Sequence, residues 1–80
     1  MKYVYLLESI ASPGQIYTGL TDDLRSRLQA HNAGESIHTR KHLPWRLVTY
    51  LAFSDRNKAV AFERYLKTAS GRAFANKRLR

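Results

Sequence analysis

The chain contains no cysteine, which excludes a disulfide framework, a thiolate nucleophile and every thiolate metal site. Its three histidines, His31, His38 and His42, lack the spacing of a zinc finger and have no cysteine to complete one. With two prolines and four glycines in 80 residues, there is no linker, internal repeat or low-complexity stretch to divide it. The longest apolar run, Val4 to Leu7, is far short of a membrane span, and the N-terminus shows no signal-peptide pattern. One domain over residues 1–80 is expected, cytoplasmic and with no membrane partner. A domain of this size buries only roughly 60% of its unfolded surface, enough for one small core and one site.

Acidic residues are also scarce: 6 Asp+Glu face 14 Lys+Arg, for a net charge of +8. Residues 1–34 balance Lys2, Arg25 and Arg27 against Glu8, Asp22 and Asp23, so the whole excess lies in residues 35–80. A basic half of this kind points to a polyanionic partner, most simply nucleic acid, with a nucleoid association as one consequence.

Met1–Leu7 reads as a strand, with Tyr3, Tyr5 and Leu7 on one face and Val4 and Leu6 on the other. Ser12-Pro13-Gly14-Gln15 suits a type II turn, and Ile16–Leu20 reads as the returning strand. A two-residue turn at Pro13-Gly14 would set Tyr17 about 17 Å from Tyr5 along the partner strand. Convergent tyrosines therefore require a wider connection, from Glu8 to Gln15. Thr21 is the expected N-cap of the first helix, with Asp22 and Asp23 in its first turn and Gly34 as its stop. On that helix Leu24 and Leu28 form the buried seam, Arg27 and His31 lie beside it, and Arg25 and Asn32 face away.

Residues 35–44 read as an exposed basic loop, and Trp45–Phe53 as a third strand. Ser54 and Asp55 cap a long helix to about Ala69, stopped by Ser70-Gly71 and followed by a basic tail, Arg72–Arg80, with a final helical turn. Its stripe Ala59, Phe62, Leu66 and Ala69 faces the core, and Glu63 lies on the margin, where a pairing with Lys67 is the bland alternative. The expected class is α+β: a small three-stranded antiparallel sheet flanked by helices, in the order β-β-α-β-α plus a short C-terminal helical tail.

Two tyrosines on neighbouring strands, a glycine two residues after the second, and a basic helix directly after that form an ordered set. Tyr3-Val4-Tyr5, Tyr17-Thr18-Gly19, Arg27 with His31, and Glu63 within Ala61–Lys67 resemble the GIY-YIG endonuclease family, most closely its small standalone bacterial members. The first motif lacks the glycine and isoleucine of the family name. The resemblance implies a Mg²⁺-dependent endonuclease that hydrolyses phosphodiester bonds in DNA, structure-specific and linked to repair or recombination. It implies that Tyr5 assists the attacking water and Tyr17 positions water or phosphate. It also implies that Arg27 neutralises developing charge, and that Glu63 holds one Mg²⁺, with Mn²⁺ as a substitute. His31 would orient the phosphate or relay a proton.

His38, Arg40, Lys41, Arg72, Asn76 and Lys77 are the expected nucleic-acid contacts, flanking the tyrosine face, with Asn76 opposite the family's late asparagine. Trp45 is expected to anchor the core, and Tyr3 and Tyr50 to be structural. The competing readings are a non-catalytic nucleic-acid-binding module of the same fold, and a structural partner of repair proteins.

Overall fold

The computed structural model describes all 80 residues. Strands β1 (Lys2–Ser9), β2 (Ile16–Thr21) and β3 (Trp45–Phe53) form one antiparallel sheet in the order β2-β1-β3. Helices α1 (Leu24–Asn32), α2 (Arg56–Leu66) and α3 (Ala69–Arg78) complete an α+β fold, and a single 3₁₀ turn spans Arg40–His42. None of these helices is long and apolar enough to cross a membrane.

The central strand is apolar on both faces because both faces are covered. Val4 and Leu6 pack with Ala59, Leu66 and Ala75 from α2 and α3. Tyr5 and Leu7 pack on the other side with Trp45, Leu24, Leu28 and Tyr17. Trp45 is thus a core anchor, and its indole N–H donates to the carbonyl of Thr39 at 2.7 Å. Tyr3 and Tyr50 pack edge to face, with Tyr50 half exposed.

The first connection is the wide one. Glu8 pairs with Ile16 and Leu7 with Tyr17, and a turn closed by Gln15 N–H donating to Ser12 O sits inside the loop, with Gly14 at φ +100°. Tyr17 is therefore diagonal to Tyr5, two residues along on the same face. Glu8 fastens this loop: its carboxylate accepts from Gly14 N–H and pairs with Arg46 and Arg80. The Gly14 N–H first, then Arg46 and Arg80, hold its pKa below the ordinary value.

Several sequence expectations are corrected. Thr21 ends β2, and the cap of α1 is Asp23, whose carboxylate accepts from Ser26 N–H at 3.1 Å. Asp22 and Asp23 thus precede the first turn, where β2 needs one more residue to complete its pairing with Tyr3. Asn32 does not face solvent alone: its amide clamps the Trp45 backbone, accepting from N–H at 2.7 Å and donating to the carbonyl at 3.0 Å.

The long helix also stops early. It ends at Leu66, Thr68 caps a new helix by accepting from Gly71 N–H, and the expected tail is the ten-residue α3. Ala69 is consequently exposed, since it opens α3 and does not continue the stripe of α2. Gly71 is no stop. It is buried inside α3, where a Cβ would overlap the Tyr65 carbonyl and come within 2.7 Å of Leu66 Cα. In an open helix Gly→Ala stabilises by about 0.5–1 kcal/mol. Here the backbone of α2 must move, so Gly71→Ala is expected to destabilise by about 1–3 kcal/mol, read as a lower urea midpoint.

Candidate active site

The site is built where β1, β2 and α1 meet. Strand alternation and the diagonal register set Tyr5 and Tyr17 side by side, with ring centroids 6.3 Å apart. Helical spacing places Arg27 and His31 one turn apart on α1, above the tyrosines. The His31 ring lies 5.0 Å from that of Tyr17 and 5.9 Å from that of Tyr5. Arg27 lies close to both phenols, and they, Tyr5 foremost, raise its pKa further.

His31 is fully buried. Its Nε2 lies 2.9 Å from the Tyr5 hydroxyl and its Nδ1 lies 2.8 Å from Thr39 Oγ1. Burial first, and the Arg27 charge second, hold its pKa below 6.5, so the imidazole is neutral at physiological pH. A neutral imidazole has one donor and one acceptor nitrogen, so one of these two hydroxyls donates to the ring and the other accepts from it. Tyr5 is itself a neutral phenol. Desolvation raises its pKa, and Tyr17 and Glu63 push the same way against the opposing effect of Arg27.

The depressed His31 pKa has a consequence for stability. Between the folded and unfolded pKa values the unfolded chain binds more protons, so stability is complete above about pH 6.5 and falls as the pH drops below it. The wild-type melting temperature is expected to fall between pH 7 and pH 5, and His31→Gln to flatten that slope. Glu8 acts lower, below its ordinary 4.5, and leaves the window separable. Equal slopes in the two proteins would show that His31 does not titrate as its burial requires.

Glu63 comes from the other side of the sheet, on α2, whose neighbours Phe62 and Leu66 belong to the Val4–Leu6 core. Its carboxylate is close enough to the cluster for its charge to act on Tyr5, and it pairs with Lys67 at 2.6 Å. No group of three or more His, Cys, Asp or Glu forms a protein-only metal cage. A single half-buried carboxylate does suit a Mg²⁺ ion, which keeps several waters and takes one or two carboxylates together with substrate phosphate.

The basic residues divide into two groups. His38, Arg40 and Lys41 are exposed on the segment between α1 and β3. Arg72 and Asn76 line a groove that also includes Tyr17, whereas Lys77 is exposed elsewhere on α3. Asn76 Oδ1 accepts from Arg80 at 2.6 Å. Sequence reasoning missed Thr39, because a threonine in a basic loop carries no periodic signal. The space where a Gly19 side chain would sit is filled by the Tyr5 ring.

A buried tyrosine beside a partly exposed one, with an arginine over them and a buried neutral histidine behind, on a three-stranded sheet, defines a small α+β domain of nuclease type. The profile of the GIY-YIG catalytic domain matches residues 1–78, and the chain belongs to the GIY-YIG family. It is similar to a UPF0213 protein of Lacticaseibacillus paracasei, with 38% identity over 66 residues, covering 81% of this chain and 72% of that one. A UPF0213 protein of Streptococcus agalactiae is 38% identical over 72 residues, covering 89% and 80%. The solution NMR structure of a UPF0213 protein from Bacillus halodurans superposes with a TM-score of 0.58 at 32% identity, covering 96% of this chain and 84% of that one.

Proposed function

We propose that this protein is an endonuclease that hydrolyses phosphodiester bonds in DNA, with Mg²⁺ as cofactor and with a role in repair or recombination. The observation that carries the reading is the packing of Tyr5 against Tyr17 with Arg27 close to both and neutral His31 bonded behind Tyr5. Arg27 binds the non-bridging oxygens of the scissile phosphate through its planar fork and offsets the charge that builds there. Tyr17 positions the phosphate or the attacking water. Tyr5 is not a resting tyrosinate, so its proton moves only as the reaction proceeds. Water attacks phosphorus and its proton passes to the Tyr5 oxygen, while the Tyr5 proton passes to His31 Nε2. This transfer uses the tautomer in which Nδ1–H donates to Thr39 Oγ1, 2.8 Å away. The leaving 3′ oxygen is reprotonated from solvent. Mg²⁺ held by Glu63 supplies Lewis-acid neutralisation of the phosphate and leaving oxygen when bound.

The ion pair between Glu63 and Lys67 favours one alternative, a nucleic-acid-binding module in which Glu63 is only a surface partner of Lys67. The test is Glu63→Gln against wild type on branched, nicked and single-stranded DNAs in titrated Mg²⁺. Cleavage by wild type and its loss by 10²-fold or more in the variant, with binding retained, is expected, because an amide supplies no anionic ligand. Binding without cleavage by either protein supports the module.

A further inference from the structure

A groove of about 520 Å³ runs along the outer edge of β2, between the hairpin and α3. Its floor is apolar, formed by Leu6, Leu66 and Ala75, and its rim is basic, with Lys67, Arg72 and Arg80. Arg72 and Asn76 lie one turn apart on α3, and Arg80, just past its end, lines the same groove. We propose that this groove holds an unpaired nucleotide of the strand whose scissile phosphate lies at the Tyr5–Tyr17–Arg27 patch. The inference rests on the nuclease reading and adds the strand's path beyond the cut.

Charge is the first support. No acidic residue lines the groove. Lys67 is engaged by Glu63, and Arg80 by Asn76 at 2.6 Å and more loosely by Glu8 at 3.4 Å. Arg72 has no carboxylate partner and is the cation free to take a phosphate.

Continuity is the second support. Tyr17 belongs both to the patch and to the groove lining, and Lys67 joins the groove to Glu63. A strand leaving the patch over the edge of β2 therefore enters the groove directly.

Shape is the third support. The volume lies in the range of pockets that enclose small organic ligands, and an apolar floor under a cationic rim suits a base and sugar with their phosphate. A duplex turns its bases inward and cannot lay one on this floor, so the occupant must be unpaired.

The experiment is amide NMR of the full chain titrated separately with a short oligothymidylate, an oligouridylate, a blunt duplex and inorganic phosphate. Both oligonucleotides, or the thymidylate alone, are expected to move the amides of Ile16, Thr18 and Asn76, and the two arms separate DNA from RNA. Arg72→Glu is expected to weaken oligonucleotide binding about tenfold and to take roughly 0.7 from the salt slope, one phosphate contact on a single strand. Silence of the groove amides while Arg27 and His31 respond would overturn the groove and leave the nuclease reading standing. So would equal shifts with the duplex, and phosphate alone giving the same pattern would reduce the groove to an anion site. Groove shifts in a protein that cuts no DNA would keep the groove and remove the nuclease.

Discussion

Tyr5→Phe is expected to lower DNA cleavage by 10²-fold or more while leaving DNA affinity nearly intact. The substitution removes one oxygen, the atom placed between Arg27 and His31 Nε2. Loss of a group that acts only in the transition state appears in the turnover rate and leaves ground-state binding alone. The variant is not neutral for folding, because the hydroxyl is buried and bonded. Its loss leaves His31 Nε2 without a partner, a cost of about 1–3 kcal/mol. Rate and stability must therefore be measured together, at a temperature where both proteins are folded. Unchanged cleavage by a folded Tyr5→Phe would remove Tyr5 from the chemistry. A matching drop in affinity would show that its hydroxyl binds substrate uniformly.

The elements that carry a periodic or capping signal were legible. Alternation gave β1 its two apolar faces, and the 17 Å argument demanded the wide first loop that Glu8 and Ile16 now close. Helical spacing set Arg27 and His31 together over the tyrosines. Three features lay outside such rules. The break between α2 and α3 follows from Thr68 competing as an N-cap and from Gly71 allowing α3 to cross the end of α2, a tertiary fit that reads locally as a helix stop. Asn32 and Thr39 act through hydrogen bonds to Trp45 and His31, outside their own turn of chain, and no local pattern marks such a residue. The position of Glu63 depends on how α2 lies against the sheet, which its stripe of apolar residues fixes only in part.

His31 shows how the site depends on the fold around it. A neutral imidazole next to an arginine requires burial, and burial requires that both ring nitrogens find partners. Tyr5 supplies one and Thr39 the other, while the Trp45 indole donates to the Thr39 carbonyl and Asn32 clamps the Trp45 backbone. The segment between α1 and β3, which reads in sequence as basic solvent-facing loop, is thus the back wall of the site. Its lysine and arginine side chains point outward and its threonine inward.

Gly19→Ala separates a positional role from a local one by the sign of its effect. Glycine within a strand costs about 0.5–1 kcal/mol relative to alanine, so on an open strand the substitution would stabilise. In β2, Gly19 lies opposite Tyr5, and the missing side chain is where the Tyr5 ring passes. A Cβ would overlap the phenol Cζ and hydroxyl and come within 2.8 Å of Cε1. The ring has little room to yield, since it is buried and its hydroxyl is bonded to His31. Overpacking at such a site costs about 1–3 kcal/mol, so Gly19→Ala is expected to destabilise in urea denaturation. It also moves the Tyr5 oxygen from its place between Arg27 and His31, so cleavage should fall about as far as in Tyr5→Phe. The double variant Gly19→Ala/Tyr5→Phe decides whether the two act through the same atom. If Gly19 matters only by seating the Tyr5 hydroxyl, the double variant cuts no more slowly than Tyr5→Phe alone. A further loss, multiplicative with the first, would mean that alanine at this position blocks the substrate itself.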